Sequence, residues 1–350
     1  MDMKRYIPFL AFLAAFCALS CTSVDKYVTV TGFAQGGSYA VKFNASDVDV
    51  SVEEISDHID RILTDIDNSL SGYNRNSLVS VFNGGEEVVP DSVFIDIYGH
   101  AYDFYDCTGG VVDVASAPLF DLWGFGFKNS RMPDDEMVAQ AKAKSGMGRL
   151  KRDLESAIGP DGRLRGTDLL NEGESFVPQL NYNAIAQGYS CDLVAEYLIS
   201  IGVKDMMVDI GEIFCMGRNP SGQPWRIAID KPVDGNNDPG ADVQAIFTVP
   251  DGPHGVVTSG NYRKYYIRDG KKYAHTIDPR TGYPVSHNLL SATIVAPDAM
   301  TADAYATYCM AIGLDASKEF ISSSSDLEGC LVYDDNGTFR VWASDGFELE

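Results

Sequence analysis

Asp303 and Thr307 stand four residues apart in the alanine-rich stretch TADAYATYCMAIG, residues 301–313. On a helix that spacing puts a carboxylate and a hydroxyl on one face, near the helix start. Two hard oxygens suit Mg²⁺ better than a softer metal. A first helical turn also favours an aspartate on electrostatic grounds alone, so the spacing leaves two readings open. His275, one of five histidines, lies in AHTIDPRTGYP, residues 274–284. Pro279 and Pro284 exclude a helix there and Thr281-Gly282 marks a turn. A histidine held in fixed geometry can move protons, although a loop histidine can equally be structural or solvated. NAIAQGYS, residues 183–190, brings small residues to a helix entry. Backbone N–H groups at such an entry bind anions; the same small residues also serve close packing of helix on sheet. The segment has no GxGxxG or GxxxxGK[ST] signature, and the chain lacks G-x-S-x-G and H-E-x-x-H.

The elements that must position these groups are legible from periodicity. Val52, Ile55, Ile59, Ile62, Ile66 and Leu70 form one apolar helix face, with Ser51 and Glu54 as a capping box. A second helix is predicted over 92–107, with Phe94, Ile97, Tyr98, Ala101 and Tyr105 as its stripe and Gly109-Gly110 ending it. Residues 128–175 read as a polar insertion. A third helix is expected from Asn183, stopped by Gly202, and a fourth over TADAYATYCMAIG. Between them lie strands at DMMVDIG, WRIAID, QAIFTV, GVVTSG and LLSATIVAP. Asp269-Gly270 and Asn336-Gly337 are hairpin turns. Strand-rich sequence interleaved with helices predicts an α+β fold of mainly antiparallel sheets flanked by helices.

The chain has 350 residues and a net charge of −23. That charge argues against nucleic acid as a partner, because phosphate binding needs basic patches. Lys4 and Arg5 precede the apolar run YIPFLAFLAAFCALS, which ends at Cys21. This reads as a signal peptide over 1–20, with ALSC as a lipobox in which Ala18 stands where leucine is usual. Cys21 would then carry lipid, residues 21–28 would be a tether, and 29–350 one domain held at a bacterial membrane on the periplasmic side. Ordinary signal peptidase cleavage after Ser20 is the alternative. Cys107, Cys191, Cys215, Cys309 and Cys330 remain, without CxxC spacing, and are expected to be buried thiols.

Six blocks occur in an order that resembles the ApbE family: YNRNSLVSVFN, GGVVDVASAPLFDLWGFG, NYNAIAQGYSCDLVA, TSGNYRKYY, HTIDPRTGYPVSHNLLSATIVA and MTADAYATYCMAIG. The resemblance runs from about Thr29 to Gly313. It implies an FAD:protein FMN transferase, which moves FMN from FAD onto a Thr or Ser hydroxyl of exported flavoproteins and releases AMP. It also implies Mg²⁺ held by Asp303, Thr307 and the Ala186 carbonyl, with His275 and Asp278 near the chemistry. Flavin and adenine contacts would fall on Gln35, Gly72, Tyr73, Asn74, Asp113, Asn183, Gln187 and Tyr189. Alternatives are an FAD pyrophosphatase giving FMN and AMP, and a non-enzymatic flavin-binding lipoprotein. The chain departs from the family pattern at Gln187, where many members have lysine. In DIGEIF it is one glycine short around Gly211, and GGSY at 36–39 replaces the commoner GTxY.

Overall fold

The computed structural model describes residues 26–46, 48–125, 132–233, 236, 240–262, 265–268 and 271–350. The leader, Cys21 and the Asp269-Gly270 turn lie outside them. The chain opens with a hairpin, β1 (Tyr27–Ala34) and β2 (Gly37–Asn44). Gln35 and Gly36 make its turn at φ +52° and +83°, the left-handed region that a tight hairpin requires. The helix α1 (Val52–Leu70) follows, and the expected capping box of Ser51 and Glu54 is present. Next come α2 (Leu78–Asn83) and α3 (Ser92–Cys107). In α3 the buried stripe uses Phe104, while Tyr105 is only half-buried.

Short pieces α4 (Ala117–Leu122), α5 (Asp135–Lys142) and α6 (Gly166–Leu169) lead to α7 (Ala186–Ser200). The stretch 128–175 is more than a polar insertion. Met147, Leu150, Leu154, Leu164 and Leu169 are buried in one cluster with Phe94, Ile97 and Tyr98 of α3. Its apolar residues are spaced irregularly over turns, which hides them from a periodicity search.

Strands then dominate: β3 (Met206–Asp209), β4 (Ile213–Met216), β5 (Arg226–Asp230), β6 (Val243–Thr248) and β7 (His254–Gly260). They are followed by β8 (Tyr265–Arg268), β9 (Lys271–Ala274), β10 (Ile277–Asp278), β11 (Tyr283–Pro284) and β12 (Leu289–Ala296). The chain ends with α8 (Ala299–Ile312), α9 (Leu314–Ser323), β13 (Glu328–Asp335) and β14 (Thr338–Ala343). One eight-stranded sheet runs β1-β2-β3-β4-β7-β12-β13-β14, and every neighbouring pair is antiparallel. The remaining strands make three two-stranded ribbons. The expected α+β class is therefore observed.

Side chains alternate across the large sheet, as the strand period of two demands. On β12, Ala292, Ile294 and Ala296 meet α8, whereas Val295 packs with Trp225, Ile227 and Phe247 on the opposite face. Further along the first face, Val41, Phe43 and Val208 meet α1 and α7 through Ile55, Ile59 and Val194. Helices α7 and α8 thus lie on the same face of the sheet. Four of the five cysteines expected to be buried are so, but Cys107 at the end of α3 is exposed. That position belongs to a helix terminus facing solvent, where a thiol has no core to join.

Candidate active site

The loop 274–284 is a small hairpin. Ile277 pairs with Pro284 and Asp278 with Tyr283. The Asp278 carbonyl accepts from Thr281 N at 3.1 Å and Gly282 N at 2.8 Å. Gly282 has φ +85°, and a Cβ there would stand 2.8 Å from Val138 Cγ1, so glycine is required on both counts. Trp123 Nε1 donates to the Gly282 carbonyl at 2.8 Å, and Tyr283 Oη to Asp135 at 2.6 Å. The rigidity foreseen from two prolines therefore also rests on anchors 148 residues or more upstream.

This hairpin presents His275, Thr276 and Pro279 to a narrow cavity of about 90 Å³ that Asp113, Asn183, Ser259 and Thr307 also line. His275 meets Phe125 edge-on, with ring centroids 6.4 Å apart. Asn183 also lines two wider cavities. One, of about 480 Å³, has walls of Gln35, Gly36, Gly72, Tyr73, Ala186 and Gln187. The other, of about 230 Å³, shares Gly72 and Tyr73. A volume of this order is that of a small-molecule site. Tyr73 is 69% exposed at the rim.

Not every candidate turns to this space. Asp278 is absent from the lining; its carboxylate forks onto Arg280 at 3.0 and 2.9 Å and shapes the hairpin. Asn74 bonds Asp67 at 2.8 Å and Asn76 N at 3.0 Å, which organises the turn after α1. Tyr189 is buried in the core, and its hydroxyl donates to Asp96 on α3 at 2.8 Å. Tyr189 lies on the face of α7 that packs against α3.

Asp113 caps the short turn 114–116. Its Oδ1 accepts from Ala115 N at 2.9 Å and Met147 N at 3.1 Å. Burial pushes its pKa up to about 6, against the pull of those two N–H bonds. Asp303 is buried, and its carboxyl lies well above the ordinary range because burial outweighs one bond from Gly188 N at 3.2 Å. Helix α8 starts at Ala299 with Asp298 as N-cap, so Asp303 lies beyond the first turn. The helix-dipole reading of Asp303 therefore fails. Its oxygen instead takes the amide at the start of α7, the place read as an anion site.

Among the described residues no Lys, Arg or His lies within ion-pair distance of Asp303. A buried carboxylate of this kind, with Thr307 one turn on and Ala186 two residues before its donor Gly188, is a donor set that fits a hard cation. Among the described residues no cluster of three or more His, Cys, Asp or Glu could hold a metal. A site of one carboxylate, one hydroxyl and one carbonyl is not of that kind.

Gln187 Nε2 donates to the Ile210 carbonyl at 3.4 Å, and a Cβ at Gly211, φ +91°, would stand 2.5 Å from that nitrogen. Two of the three unusual positions of the sequence thus touch each other. Two further polar residues at this centre were not singled out from sequence. Ser190 accepts from Gln35 Nε2 and donates to the Ala186 carbonyl at 2.6 Å. Asp192 bonds the first amides of α8. A lone aspartate inside the apolar run GYSCDLVA is the signal that points to Asp192.

The chain is similar to known proteins in sequence and in fold. The ApbE family model matches residues 36–331. A Haemophilus influenzae protein named FAD:protein FMN transferase is 30% identical over 99% of this chain and 98% of its own length. The Salmonella typhimurium protein of that name is 31% identical over 96% and 94%. Among solved structures, the apo flavinyl transferase ApbE of Pseudomonas stutzeri aligns with TM-score 0.76 and 30% identity, over 92% of this chain and 95% of that one. The flavin transferase ApbE from Vibrio cholerae aligns with TM-score 0.74 and 29% identity, over 92% and 98%. From its sequence and its fold alike, this chain belongs to the ApbE family.

Proposed function

We propose that this enzyme is an FAD:protein FMN transferase that uses Mg²⁺, acts on a Thr or Ser hydroxyl of an exported flavoprotein and releases AMP. The observation that carries the reading is one residue, Asn183, lining both the His275–Thr307 cavity and the wider groove beside Tyr73. A substrate with flat rings at its ends and a pyrophosphate between them suits such a space. In the reaction the acceptor oxygen bonds to the FMN phosphorus, the P–O bond to the AMP phosphate breaks, and AMP leaves with the bridging oxygen. His275 takes the hydroxyl proton. Tyr73 stacks on a ring, and Gln35, Asn183 and Gln187 orient the substrate. Asp303, Thr307 and the Ala186 carbonyl would hold Mg²⁺, which supplies charge neutralisation at the pyrophosphate. Asp278 supports the hairpin through Arg280.

The leader and Cys21 support export and lipid anchoring at the periplasmic side of a bacterial membrane, with residues 29–350 as the catalytic domain. The test is AMP release from FAD in the presence of an acceptor. Release should stop in excess EDTA and in Asp303→Ala, a change that a helix tolerates. Undiminished release in both would refute the metal assignment, and no release by the wild type would refute the reaction.

A further inference from the structure

Helices α7 and α8 cap each other. The start of α7 has no side-chain cap of its own at Ile185, and Asp303 of α8 reaches its Gly188 amide at 3.2 Å. In return Asp192 of α7 accepts from Ala299 N and Met300 N of α8, each at 2.8 Å and each on a separate oxygen. The Asp298 carboxylate takes the next amide, that of Thr301, and the Thr301 hydroxyl. The helices also approach so closely that a Cβ on Gly188 would stand 2.4 Å from the Ala299 carbonyl oxygen. Two helices that donate amides to each other's carboxylates can neither slide nor rotate without losing these three bonds.

We propose that Asp192 is a positioning residue that fixes Asp303 and Thr307 in register with the Ala186 turn. The inference rests on the metal reading given above and goes beyond it. Asp192 lines none of the three cavities described above. Its carboxylate is kept at a cost: burial pushes its pKa up to about 7 despite the two N–H bonds, and Asp298 and Glu196 push the same way. Asparagine keeps one acceptor oxygen and turns an NH₂ toward the second amide, so it restores half of the clamp. Alanine restores none.

The experiment follows the melting temperature of the full mature chain during a Mg²⁺ titration, with and without FAD, alongside the Mg²⁺ dependence of AMP release. Wild type, Asp192→Ala, Asp192→Asn and Asp91→Ala are compared. Asp91 caps α3, accepts also from Ser69 Oγ at 2.9 Å, and does not line the cavities described above, so it controls for the loss of a capping carboxylate away from the α7–α8 contact. The Mg²⁺ midpoint should rise about ten-fold or more in Asp192→Ala, less in Asp192→Asn, and not at all in Asp91→Ala. The KM for FAD at saturating Mg²⁺ should stay near the wild-type value. A lowered melting temperature with an unmoved midpoint in Asp192→Ala would overturn the inference and leave the metal reading standing. No Mg²⁺ response in the wild type would overturn both. Should Asp192→Ala fail to fold, the Asp192→Asn midpoint decides by the same rule.

Discussion

His275 is the residue on which the proposed chemistry turns. A positioned general base contributes ~10²–10⁴-fold to rate, so His275→Ala should lower kcat by about that factor. FAD binding, followed by flavin fluorescence quenching, should change little, because Tyr73 and Gln35 line a different stretch of the groove. Weakened binding at unchanged turnover would make His275 a ligand contact only. Asp113 offers a pH test whose sign follows from burial. Its folded pKa of about 6 exceeds the ordinary 3.8, so the folded state holds the proton more tightly. The stability that this gives is present below the unfolded value and is lost as pH rises through the folded one. Relative to Asp113→Asn, the wild type should therefore lose stability between about pH 4 and pH 6, by up to ~1.4 kcal/mol per pH unit. Urea melts of both proteins at several pH values measure it, and a wild type that holds or gains stability relative to Asp113→Asn over that range would contradict the account. At this scale the sequence was readable where a residue stands in a motif. Tyr189 and Asp278 show the limit: both sit in motif blocks, yet one bonds Asp96 in the core and the other Arg280. Which neighbour a side chain meets depends on tertiary packing, which a motif block does not state.

At the scale of elements, periodic patterns carried α1 and α3, because one face of each must be buried. The capping box at Ser51 needed no tertiary information. What could not be read was the contact between α7 and α8, since 107 or more residues separate Asp192 from the amides it binds. The helix pair yields its own prediction. Gly188→Ala should push the helices apart and cost at least ~1–3 kcal/mol as an overpacked interior does. Thermal melts should show the loss, and the Mg²⁺ midpoint should rise with it. An alanine variant as stable as the wild type would mean that the approach of the helices is looser than described.

At the scale of the whole molecule, one large antiparallel sheet runs from β1 to β14, and the chemistry proposed above uses the cavity between α8 and the hairpin that carries His275. Its class was legible because alternating strands and capped helices leave few arrangements. The reach of Trp123 and Asp135 to the hairpin was not. Beyond the domain, the apolar leader ending at Cys21 predicts lipidation. Mass spectrometry of the mature N-terminus should find a diacylglyceryl cysteine, and Cys21→Ala should free the protein from membranes, since stable anchoring needs two or more chains. An unmodified cysteine would end that part of the account. The central claim is transfer to another protein, and one measurement reaches it directly. The purified domain is incubated with FAD, Mg²⁺ and an acceptor flavoprotein, and the acceptor is then denatured and inspected for flavin fluorescence and for the mass of its Thr- and Ser-bearing peptides. The account predicts FMN bound covalently to one hydroxyl of the acceptor, with one AMP released per adduct. Free FMN and AMP with an unlabelled acceptor would contradict it and make water the true acceptor.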